Sequence, residues 1–135
     1  AILIGVSERL RDGGRSVIEQ SDDAAERLRR LVAFHVDFAL TDADVIRVHD
    51  RDLASLSEED RRTVRRLQRE YVEMWIEVLA AVHPGRAEPD LRVRAHACFG
   101  LINSTPHSIR TGPDAPDQSS VRDILTAMAE AALAV

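Results

Sequence analysis

The sequence predicts an all-helical bundle of about six helices. Three observations carry this reading: apolar residues recur at spacings of three and four from end to end, no useful length alternates with period two, and capping residues punctuate the chain at helix-length intervals. At 135 residues the chain fits one domain, residues 1–135, long enough to bury a continuous core.

The first helix is expected from about Ala1 to Gln20, with a kink or break at Gly13-Gly14, where each glycine costs roughly 1 kcal/mol against alanine. Ser21, Asp22 and Asp23 place a capping oxygen and two acids at the start of a second helix that runs to about Leu40. Thr41 with Asp44, and Ser57 with Asp60, resemble capping boxes and mark two further starts. The third helix, about Asp42 to Leu53, is short and charged. The fourth is the longest, about Glu58 to Val82, stopped by His83-Pro84-Gly85. Pro89 suits the first turn of a fifth helix reaching about Arg110, with a disturbance at Pro106. Thr111 to Pro116 reads as the clearest loop, and a last helix follows from about Ser119 to the end.

Net charge and residue inventory exclude several functions. A formal charge of −5 opposes a nucleic-acid surface, which needs basic residues concentrated on one face. Every basic residue is arginine, which hints at a GC-rich coding sequence. The lone Cys98 supports no disulfide framework or zinc knuckle and fits a reducing cytoplasm. No stretch approaches the roughly 18 uncharged residues of a membrane span, and the apolar opening lacks the basic flank and cleavage site of a signal peptide. No catalytic motif such as GxSxG, HExxH or a phosphate loop is present, and Ser104-Thr105 beside His107 is too local for a triad, so the chain is read as a non-enzyme without a cofactor. His49 with Asp50 and Asp52 is a loose cluster, His83, His96 and His107 are scattered, and no metal site is assigned.

The chemistry concentrates on two apolar stripes. In the fourth helix Val64, Leu67, Tyr71, Met74, Trp75, Val78 and Val82 share one face, and Arg61, Arg62, Arg65, Arg66, Arg69, Glu73 and Glu77 lie mostly opposite. The arginine-rich run is interleaved with acids and reads as a solvated ion-pair face. The second helix carries Leu28, Leu31, Val32, His35, Phe38 and Ala39, one imidazole in an apolar stripe. His35 is either a core histidine hydrogen-bonded to a carbonyl or to Tyr71, or a contact to a ligand or metal. Phe34, Phe38, Met74, Trp75 and Phe99 hold most of the large apolar volume. With His35, Tyr71, Val78 and Asn103 they form either a packed core or the wall of a small-molecule pocket, and sequence does not separate the two. On the last helix Val121, Ile124, Leu125, Met128, Ala131, Ala132 and Val135 make a broad apolar face, matched on the fifth helix by Leu101, Ser104 and Ser108. So much apolar surface at a chain end suggests a homodimer contact.

Several phrases resemble one family. Ala1-Ile2-Leu3 resembles the start of the connecting helix that follows the helix-turn-helix of TetR transcriptional regulators. The run from Leu67 to Trp75 resembles the pocket helix of their C-terminal domains, and Phe99 to Ser104 resembles a run in the helix that turns into their dimer interface. The resemblance implies a regulatory domain of a repressor, lacking here its N-terminal DNA-binding head, that binds a small apolar effector and dimerises as a four-helix bundle. DNA would be touched only through that head, and effector binding would change the separation of two heads carried by the first helix. A dimerisation module without ligand and an all-helical enzyme stay open as other readings of the same residues.

Overall fold

A computed structural model of the chain describes residues 2–42, 53–108 and 112–135. Five α-helices account for most of them: α1 (Ile2–Ile18), α2 (Ala24–Thr41), α3 (Glu58–Val82), α4 (Glu88–Ser108) and α5 (Gln118–Ala134), with a short 3₁₀ turn at Leu53–Ser55. The described residues contain no strand. The third expected helix and the Thr41/Asp44 box fall largely on residues 43–52, outside the described set.

Local chemistry explains the starts. The Asp23 carboxylate accepts from the Glu26 N–H at 3.0 Å and caps α2. Ser57 Oγ accepts from the Asp60 N–H at 3.1 Å and caps α3, as its spacing predicts. Asp117, which the sequence reading passed over, caps α5 by accepting from the Ser120 N–H at 2.7 Å. That hydrogen bond, with help from Ser119, holds the Asp117 carboxyl below the usual range. At the far end of α3, His83 is the C-cap and Gly85 takes φ 97°, a left-handed turn that suits glycine.

The helices pack around α2, which touches each of the other four. Leu31, Val32, Val36 and Ala39 on it have no exposed surface. Helix α1 runs antiparallel to α2, with Arg9 reaching Asp42 and Gly13 lying over Phe34. It lies alongside α3 in the same direction, tied by an Arg11–Glu70 ion pair at 3.0 Å. Helix α4 folds back on α3 after the His83-Pro84-Gly85 turn, and α5 returns antiparallel along α2, where Arg122 pairs with Asp37 and Gln118 donates to the Leu40 carbonyl.

One expectation is corrected. Helix α1 passes unbroken through Gly13-Gly14 and ends at Ile18, because the pair serves close approach instead of a bend: a Cβ on Gly13 would fall into the Phe34 ring edge, and one on Gly14 would stand 2.9 Å from Tyr71 Cε1. Helix α4 runs to Ser108 with Pro106 inside it, as the sequence predicts.

Candidate functional site

His35 sits midway along the central helix with 3% of its surface exposed, surrounded by groups from α3 and α4. Its position follows from helical spacing: Leu31, Val32, Val36 and Ala39 drive that face of α2 inward and carry the imidazole with them. A buried imidazole needs partners at both nitrogens, and it has them. The Tyr71 hydroxyl donates to His35 Nδ1 at 2.7 Å, and His35 Nε2–H donates to Asn103 Oδ1 at 2.8 Å. With Asn103 oriented this way the ring is the neutral Nε2–H tautomer.

Burial dominates the electrostatics. It drives the His35 pKa down from 6.5 to about 4, against the opposing pull of Asn103, so the ring is neutral near pH 7. Burial also pushes the Tyr71 phenol above its ordinary range, only partly countered by the nearby Trp75 N–H. That indole N–H lies near the Tyr71 oxygen without completing a hydrogen bond of good geometry, although Trp75 has no exposed surface. Cys98, behind the cluster, is pushed up to about 12 by burial and stays a thiol.

Aromatic rings enclose the polar relay. Tyr71 stacks on His35 with centroids 5.7 Å apart, and Trp75 meets His35 edge-on at 5.9 Å. Phe99 lies 5.1 Å from His35, 6.0 Å from Tyr71 and 5.0 Å from Trp75. Phe34 and Phe38, 6.1 Å apart on α2, are half-buried nearer α1. Met74 and Val78 are buried on the core face of α3. Thus His35, Tyr71, Trp75, Phe99 and Asn103 form one connected cluster, with Phe34 and Phe38 flanking it.

An open groove of about 450 Å³ lies elsewhere, between the C-terminal end of α1, the start of α2 and the middle of α3. Met74 and Ile18 form its apolar floor, but Arg15, Glu19, Arg27, Arg69, Glu70, Glu73 and Glu77 make its walls charged. Only Met74 belongs to both this groove and the expected site. Among the described residues no group of three or more potential ligands could hold a metal ion, and His49, Asp50 and Asp52 lie outside them.

The expected dimer residues divide. On α5 Val121 and Leu125 point into the subunit's own core with Ala129 and Leu133, so the broad face inferred for this helix is two faces. Ile124 (57% exposed), Met128 (51%), Ala131, Ala132 and Val135 form the outer one. On α4 Ser104 is exposed and Leu101 half-buried, and the Ser108 side chain lies outside the described set. Val93, at 69% exposed, joins Ala97, Gly100 and Ser104 in an outward stripe that the sequence reading did not single out. Its spacing of three and four along α4 was the available signal.

The described helices thus carry a neutral polar group walled by aromatics, and outward apolar stripes on the last two of them. The family model described as Tetracyclin repressor-like, C-terminal domain matches residues 21–132. The chain belongs to that family and is a regulatory domain of the TetR type. No curated protein matches it. No described helix is long and apolar enough to cross a membrane.

Proposed function

We propose that this domain is the effector-sensing and dimerising half of a cytoplasmic transcriptional repressor, binding a small apolar molecule at the aromatic cluster around His35. The carrying observation is the Tyr71–His35–Asn103 relay, a neutral, directional polar element enclosed by aromatic rings. Ligand sites for apolar molecules are built from such walls and a few placed polar groups. Phe34, His35, Phe38, Tyr71, Met74, Trp75, Val78, Phe99 and Asn103 are the residues assigned to it. Gly13 and Gly14 support a route outward: any ligand that turns Phe34 or Tyr71 presses directly on the α1 backbone. Operator contact is assigned to a helix-turn-helix unit that precedes such a C-terminal domain, since a chain of net charge −5 is a poor phosphate surface.

Dimerisation is assigned to α4 and α5, neighbours in the fold whose outward stripes hold Val93, Ile124, Met128 and Val135 exposed. Two copies facing each other through these helices make an isologous contact that removes this surface from water. Leu101, Ser104, Ser108 and Ala132 belong to the same assignment, whereas Val121 and Leu125 support the face from inside.

The test is a titration of the chain with long-chain and polycyclic apolar compounds, read by the emission of Trp75, the single tryptophan. A saturable change is expected, weakened at least tenfold in His35→Ala. If no compound in a broad set alters the emission, or His35→Ala binds as the parent does, the site assignment is wrong.

A further inference from the structure

His35, Tyr71, Trp75 and Phe99 form a closed set in which each ring contacts the other three, with centroids between 5.0 and 6.4 Å. Three of the four are buried, and Phe99 alone is part-exposed. Helix α4 is held to the core by other side chains, Ala95, Cys98 and Ile102, so the Phe99 ring is a lateral cover and not the anchor of its helix. In the same set the Trp75 indole N–H, near the Tyr71 hydroxyl, is a donor without exposed surface that completes no hydrogen bond. Leaving such a group unmet is unfavourable, and an entering acceptor recovers part of that cost.

We propose that Phe99 is an internal plug occupying the place of a ligand ring, and that the effector is an uncharged, planar aromatic carbonyl compound that displaces it. The inference rests on the effector-site reading above and adds the class of ligand and the moving part. Planarity follows from the surrounding rings, which accept a flat partner in stacked or edge-on contact. The carbonyl follows from the indole donor, which the Tyr71 hydroxyl beside it, turned to His35, leaves without a completed hydrogen bond. Neutrality follows from the cluster itself, which has no charged side chain and would leave an ionised ligand desolvated and unpaired. Phe99 can leave without unfolding α4, since its ring already reaches the surface beside the exposed His96.

The test uses the full chain labelled with 4-fluorophenylalanine, which gives three fluorine resonances from Phe34, Phe38 and Phe99. Phe99→Leu assigns the third by its loss. Coumarin is the probe, naphthalene the control without an acceptor, and 2-naphthoate the charged control, with affinities from equilibrium dialysis. Coumarin is expected to move the Phe99 resonance toward its solvent-exposed position and the other two much less. Phe99→Ala should bind coumarin at least tenfold tighter than the parent, and Phe99→Leu, which keeps bulk and protects the fold, should lie between. Coumarin should outbind naphthalene at least fivefold, a preference lost in Trp75→Phe, and 2-naphthoate should not compete.

A stationary Phe99 resonance at 1 mM coumarin overturns the plug, as does equal affinity in parent and variants. Equal uptake of naphthalene and coumarin by Phe99→Ala reduces the site to an ordinary cavity and overturns the ligand class. If coumarin fails while other apolar compounds shift Trp75 emission, this proposal falls and the effector-domain reading stands. If none does, both fall.

Discussion

Gly14 lies against the Tyr71 ring so closely that a methyl group there would stand 2.9 Å from Tyr71 Cε1 and 3.5 Å from Met74 Sδ. Tyr71 cannot yield easily, because its hydroxyl is bonded to His35 and its ring is buried. Gly14→Ala should therefore destabilise the fold by about 1–3 kcal/mol, the usual range for overpacking. Gly13→Ala should cost less, since the atoms it meets are the far end of the half-buried Phe34 ring. Gly5, in the same helix but with nothing within 4 Å, should go the other way: Gly5→Ala should stabilise by about 0.5–1 kcal/mol. Urea midpoints of the three variants check the order, and a Gly14→Ala chain as stable as Gly5→Ala would contradict the close seat.

Stability should fall with acid in a window set by His35. Its folded pKa, about 4, lies below the ordinary 6.5, so the unfolded chain binds the proton more readily. The stability tied to the neutral ring is thus fully present above about pH 6.5 and lost as pH falls toward 4, by about 3 kcal/mol in all. Urea unfolding between pH 4 and 7.5 should show this slope in the parent. His35→Asn, which does not titrate, should flatten it, and identical slopes would show that His35 is not the group responsible.

Tyr71→Phe removes the donor to His35 Nδ1 and leaves a buried acceptor unmet, at a cost of about 1–3 kcal/mol. Asn103→Ala should cost less, because Asn103 is only half-buried and water can take over its role at Nε2. Since both act through one ring, the double variant should depart from additivity by about 0.5 kcal/mol or more. Strict additivity in a thermodynamic cycle would mean the relay carries no coupling.

Met128→Arg places a charge on the outer face of α5, and in a two-fold contact it appears twice. Burying it unpaired costs several kcal/mol by an order-of-magnitude rule, roughly 3–5, so this variant should sediment as a monomer or precipitate. Arg122→Ala loses only a surface pair with Asp37, both partly exposed, and should change stability by less than about 1 kcal/mol. The parent should sediment as a dimer at tens of micromolar. A clean monomer there would remove the dimer assignment.

What the sequence determined by itself is what depends on neighbours within one or two turns. The cap at Ser57, the stop at His83-Pro84-Gly85 and the inward stripes of α2 and α3 all follow from local hydrogen bonding and a 3.6-residue repeat, whereas the α2 cap expected at Ser21 falls to Asp23. His35 could be singled out because one imidazole interrupts an apolar stripe, and the Tyr71 partner was among its stated alternatives. The tertiary structure alone decided the rest. Asn103 completes the relay from 68 positions away, a distance at which no local pattern constrains pairing. Gly13-Gly14 reads as a break in isolation and proves to be a seat, because glycine weakens a helix by itself yet permits backbone contact with a neighbour. Val121 and Leu125 turn inward while Ile124 and Met128 turn outward, a division hidden in the sequence because hydrophobic burial is non-directional: a core and an interface select the same side chains, and only the neighbouring helices determine which face is already covered.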